Sequence, residues 1–167
     1  MTIPILSFVG KSGSGKTTLI EKLIPLFREQ GFRIATIKHH FHADFDIDIP
    51  GKDSWRHAQA GSEHVILASS SKIASIRQLS TELTLDEIAA GIKDVDLIIA
   101  EGYKTPQKPK IEVVRAARSQ APFTDPAELI AIVSDLTFDI PVPQFDLNDV
   151  EGIANLIIGQ LLTENQL

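Results

Sequence analysis

Residues Gly10-Lys11-Ser12-Gly13-Ser14-Gly15-Lys16-Thr17 read G-x-x-x-x-G-K-T, followed by Thr18, and the pattern changes from strand-like to helix-like across them. Glycines at this spacing let the backbone curl, so that successive N–H groups and the positive end of the following helix point at one anion. Lys16 is spaced to reach the β- and γ-phosphates of a nucleotide, and the Thr17 hydroxyl to take one position on Mg²⁺. A glycine-rich turn without a ligand is the competing reading, and the flanking strand and helix argue against it. The pattern implies a bound nucleoside triphosphate.

Other residues are of types that could complete such a site. Glu101 ends the apolar run Leu97-Ile98-Ile99-Ala100 and precedes Gly102. An acid at the end of a strand beside the glycine loop can hold the metal or orient a water. Asp44, Asp46 and Asp48 alternate in a polar loop, and Asp46 or Asp48 is a candidate for the metal shell, against a plain solvated loop. His39, His40 and His42 suit phosphate contact or a metal, although no cysteine is present to complete a tight tetrahedral zinc site. Lys52 and Arg56, beside Asp53, Ser54 and His57, could meet a second anion, with capping as the alternative for Asp53 and Ser54. Lys104, Lys108 and Lys110 extend this positive rim, or form an ordinary solvated face. Lys11 resembles the early lysine of dimerising P-loop ATPases, which crosses to the partner's phosphates. A guanine reader of the form Asn-Lys-x-Asp is absent, and Asp135 is the carboxylate that could accept the guanine N1–H and N2–H, or else cap the turn after it.

The elements that must position these residues follow from periodicity. Residues 3–9 form an apolar run of strand length, and 17–30 carry Leu19, Leu23, Leu26 and Phe27 at helical spacing. Further strands are expected over 33–38, 96–100, 110–115, which reads as alternating, and 129–133, with a short edge strand over 142–145. Helices are expected from Asp53-Ser54 to Ala60, from Thr84 onward, and over 149–162. Residues 64–68 and 72–77 read as a hairpin around Ser69-Ser70-Ser71. Strands alternating with helices, two of them apolar throughout, imply an α/β fold with a mostly parallel, doubly wound sheet covered on both faces. Ligands of such sheets sit at the carboxyl ends of the strands. The segments near Gly10, Lys38, Glu101 and Ser134 should therefore converge.

Composition sets the class. A chain of 167 residues with 43% hydrophobic and 23% charged residues is expected to form one nucleotide-binding domain over 1–167. No apolar run reaches the ~18 residues of a membrane span, no signal layout is present, and there are no cysteines, so a cytoplasmic location is expected. The net charge of −6 is unevenly spread: all 16 Lys and Arg lie within residues 1–118, and the last 49 residues hold eight acids and no base. Basic groups facing a polyanionic ligand would explain the split, as would a solvated acidic end region. Dense Lys/Arg clusters with interleaved aromatics are absent, and nucleic acid is not an expected partner.

Taken together, Ser12-Gly13-Ser14-Gly15-Lys16-Thr17-Thr18-Leu19, Ile37-Lys38-His39-His40 and Phe45-Asp46-Ile47-Asp48-Ile49-Pro50-Gly51-Lys52-Asp53-Ser54 closely resemble the MobB family. Members are GTP-binding adapters of molybdopterin-guanine dinucleotide synthesis. Asp96 to Lys104, Lys110 to Val113, Ile132 to Asp135 and Asp149 to Ile153 extend the resemblance over nearly the whole chain. It implies a homodimer of P-loop α/β subunits that binds GTP with Mg²⁺, hydrolyses it feebly and associates with MobA, the guanylyltransferase that joins GMP to molybdopterin. It further implies that Gly10 to Thr18 hold phosphates and metal, that Glu101 and Asp46 are acids of the metal shell, and that His39, Lys52 and Arg56 face the pterin or the partner. Slow turnover is expected, because no glutamine or arginine finger stands out in the sequence. A small-molecule kinase would need an arginine-rich lid, and only Arg115 and Arg118 approach one. A GTP-dependent metallochaperone using the histidines is the third reading.

Overall fold

The computed structural model describes residues 2–41 and 45–163. It divides into two compact units, one of residues 1–39 with 85–167 and one of residues 40–84.

The larger unit is built on a six-stranded parallel sheet in the order β2-β5-β1-β6-β7-β8. The strands are β1 (Ile5–Val9), β2 (Ile34–Lys38), β5 (Leu97–Glu101), β6 (Lys110–Val114), β7 (Leu129–Ser134) and β8 (Gln144–Phe145). β1, β5, β6 and β7 are buried almost end to end, as strands of a doubly covered parallel sheet must be. One face carries Leu6, Phe8, Ile99 and Val133. Helices α1 (Lys16–Glu29) and α4 (Val150–Ile157, with a π turn to Leu162) cover it with Leu19, Leu23, Phe27, Ile153 and Ile157. Burying each such side chain contributes about 1.5–3 kcal/mol. The amino end of α1 is thereby fixed against the sheet. On the opposite face, α3 (Leu85–Ala89) packs Leu85 and Ile88 with Ile37, Ile98 and Ala100. At the amino edge the Arg33 side chain and backbone N–H both bond the Asp96 carboxylate, which tethers the start of β2 to β5 and lowers the Asp96 pKa.

The smaller unit holds α2 (Asp53–Gln59) and the antiparallel hairpin β3 (His64–Ala68) and β4 (Ile73–Arg77). The expected hairpin is present, turning through Ser69 and Lys72.

Three expectations need correction. The strand over 110–115 does not alternate: Lys110 and Glu112 are as buried as their apolar neighbours, because β6 lies inside the sheet. Lys110 is therefore not part of a positive rim; its ammonium pairs with Glu128 at 3.1 Å. Asp53 and Ser54 do not cap α2 either, since the cap residue is Lys52 and no side chain bonds the first turn.

Candidate functional site

The glycine loop joins the carboxyl end of β1 to α1, as its sequence requires. Gly10 (φ +145°), Gly13 (+73°) and Gly15 (+101°) all take backbone angles that L side chains rarely adopt. At Gly10 the need is also spatial: a Cβ there would stand 2.4 Å from the Val113 carbonyl oxygen on β6. Gly15 caps α1 with no side-chain hydrogen bond, and the first turn holds no acid. By contrast, Asp149 accepts the Gly152 N–H at the start of α4, and α2 and α3 carry acids in their first turns. The free N–H groups and positive end of α1 are thus left for an anion. Ser14 is 1% exposed, and its hydroxyl oxygen has no hydrogen-bond partner among the described residues.

Three side chains meet beside the loop. Thr17 Oγ1 donates to Glu101 Oε1 at 2.7 Å. Lys38 Nζ donates to the same Oε1 at 3.0 Å and to Thr17 Oγ1 at 3.3 Å. The sheet makes this meeting possible, because Glu101 is level with Phe8 on one side and with Lys38 on the other. Thr17 and Glu101 offer hard oxygen donors of the kind Mg²⁺ takes. The Lys38 ammonium rests on those two oxygens as a stand-in cation, so the donor set fits a divalent metal. Lys16 Nζ donates to the carbonyls of Gly10 and Lys11 at 2.8 and 3.0 Å. Burial lowers the Lys16 pKa, with Glu101 opposing the shift and Lys38 and Lys104 adding to it.

The remaining expected residues distribute as follows. Lys11 is exposed at the loop, and Ser12, Gly13 and Thr18 lie with it in the segment from Gly10 to the first turn of α1. His39 follows β2, its N–H bonded to the Glu101 carbonyl and its ring 4.9 Å from that of Tyr103. Asp135 is exposed after β7, and its Oδ1 accepts the Ala116 N–H at 2.7 Å. Ser134, rather than Asp135, bonds the turn that follows, through Leu136 N–H. Asp46, Asp48, Lys52, Arg56 and His40 belong to the smaller unit. There Asp46 is exposed, Asp48 accepts the Ile49 N–H, and Arg56 stands 3.8 Å from Asp53. His42 and Asp44 lie outside the described residues. Among the described residues no group of three or more His, Asp or Glu side chains is placed to hold a metal ion. No described helix is long and apolar enough to cross a membrane.

Sequence reasoning passed over two features of this edge. Lys38 was placed at a strand end, but its bond to Glu101 depends on β2 lying next to β5. Arg115 and Arg118 follow β6 and lie against the glycine loop from about a hundred residues away. Their place directly after a buried strand was the signal available.

Comparison with known proteins extends this picture. The family model described as molybdopterin guanine dinucleotide synthesis protein B, MobB, matches residues 5–135. A molybdopterin-guanine dinucleotide biosynthesis adapter protein of Escherichia coli K12 is 37% identical over 169 residues, covering 98% of this chain and 96% of its own. One of the same name from Haemophilus influenzae is 37% identical over 158 residues, covering 93% and 88%. A crystal structure of molybdopterin-guanine biosynthesis protein B superposes with a TM-score of 0.72 at 36% identity, covering 94% of this chain and 99% of that one.

Proposed function

The chain belongs to the MobB family, and from that premise we propose that it is a GTP-binding adapter in molybdopterin-guanine dinucleotide synthesis. The observation that carries the nucleotide reading is the amino end of α1, which is uncapped, free of acids and approached by Lys16. Phosphates placed there would receive the loop N–H groups and the Lys16 ammonium. A phosphate oxygen would also suit the unpartnered Ser14 hydroxyl. Thr17 and Glu101 would hold Mg²⁺, which neutralises phosphate charge when bound. Lys38 would then be displaced toward the ligand or its phosphates.

The finer assignments rest on residue types and on the family resemblance. Asp46 is proposed as a further acid of the metal shell, His39, Lys52 and Arg56 as contacts for the pterin or a partner, and Asp135 as the guanine acceptor. A homodimer, weak GTPase activity, a cytoplasmic location and partnership with the guanylyltransferase MobA complete the proposal. Residues 1–167 would then act as one nucleotide-binding domain.

Isothermal titration with GTP and ATP, run with a phosphate-release assay, tests the reading. GTP is expected to bind more tightly than ATP, with turnover well below about one per second, because no glutamine or arginine finger stands out in the sequence. Preference for ATP, or rapid phosphorylation of a small-molecule acceptor, would favour a kinase instead.

A further inference from the structure

Two guanidinium groups lie on the glycine loop without a partner of opposite charge. Arg118 packs over Gly13, its Nε 3.0 Å and one Nη 3.1 Å from the position a Cβ would take. Arg115 reaches Gly15, with one Nη 3.5 Å from the equivalent point. Neither guanidinium is in an ion pair among the described residues. An anion held at the loop would balance these two like charges and the positive helix end.

The segment that carries them is fixed at both ends by carboxylates. Asp135 Oδ1 accepts Ala116 N–H at 2.7 Å. Glu112, 1% exposed, accepts the N–H groups of Phe123 and Thr124 at 3.0 and 2.9 Å. Between these anchors, Arg118 N–H and Ser119 N–H bond the Arg115 carbonyl, Gln120 Nε2 bonds the Ala116 carbonyl, and Ser119 Oγ bonds that of Ala121. Residues 115–124 thus form a strap whose shape is set before any ligand arrives. Its backbone therefore needs little ordering at the moment of binding.

We infer that Arg115 and Arg118 are phosphate ligands supplied in cis, a preformed clamp on the non-transferred α- and β-phosphates of the bound nucleotide. Their positions select those phosphates. Loop amides around Gly13 and Gly15 cradle the α/β end, while Lys16 reaches the β/γ end. Guanidinium groups there suit phosphate through paired N–H donors. GTP and GDP both carry the α- and β-phosphates, so the clamp grips substrate and product alike, and that shared part of the binding raises affinity without raising turnover. What the clamp adds to the transition state is confined to the charge that the β-phosphate takes up as the γ-phosphate leaves. The inference rests on the reading of the loop as a triphosphate site.

The test measures binding of GTP, GDP and GMP to the full chain and to Arg115→Met, Arg118→Met and the two Lys replacements, by titration with Mg²⁺. Both arginines are exposed, and methionine keeps the apolar stem, so the fold should be retained. Each Met variant should bind GTP and GDP about tenfold or more weakly, with a smaller loss for GMP, which offers the clamp only its α-phosphate. The Lys variants keep the charge but not the paired donors, and should recover part of that loss. Met variants that bind as the parent protein does would overturn the clamp. So would Lys and Met losing affinity equally, which means planar packing on the loop, or a loss confined to GTP with slower hydrolysis, which means a transition-state finger. If the unaltered chain binds none of the three nucleotides, the triphosphate reading itself fails and the clamp fails with it.

Discussion

At the scale of single residues, the site is a small set of charges whose balance depends on an anion. Lys16 is partly desolvated, which lowers its pKa, and its bonds run to two backbone carbonyls. Phosphate would reverse that shift by favouring the charged ammonium. Replacing Lys16 with Ala should weaken triphosphate binding about 100-fold or more and leave the melting temperature nearly unchanged. Titration of GTP alongside a thermal melt checks this. Retained affinity would mean that the loop is not the cradle. Residue types and spacing in the sequence were enough to single out Lys16, Thr17 and Glu101. Lys38 was expected at the same edge of the sheet, but its bond to Glu101 was not, since that depends on β2 lying beside β5. The same applies to Lys110, whose charge hid the fact that β6 is interior.

At the scale of elements, the glycine loop is a junction held by its neighbours on both sides. β1 pairs with β5 and β6, and the carbonyl of Val113 on β6 stands where a side chain at Gly10 would go. Ala at Gly10 should therefore push the loop off β6 and destabilise the fold by about 3 kcal/mol. For a domain of this size that is a fall of roughly 10 °C in melting temperature, readable by calorimetry. A melt unchanged within experimental error would show that β6 can retreat at little cost. Local patterning predicted nearly every element, because apolar runs and helical spacing report burial directly. It placed the start of α2 correctly but misjudged its capping, and it misjudged the pattern of β6, which is set by the strands on either side.

At the scale of the whole molecule, the proposal concerns a partnership. The basic residues end at Arg118, and the region after it is acidic, which separates a phosphate-facing part of the sequence from one suited to solvent or a basic partner. Pull-down against the guanylyltransferase, with and without GTP, should show capture that rises with nucleotide and falls as salt is raised past about 0.15 M. Equal capture with and without GTP would separate the adapter role from the loop. What the sequence determined alone was everything written in short range: the glycine loop between a strand and a helix, the alternation of strands and helices, and the family blocks around Lys38 and Asp46. What only the tertiary structure decided was the order of the strands, and with it which side chains of distant segments touch. The strand order β2-β5-β1-β6-β7 brings Lys38 to Glu101 and the arginine strap to Gly13 and Gly15. Sheet order is a global packing outcome, fixed by which apolar faces cover one another, and no local pattern of residues encodes it.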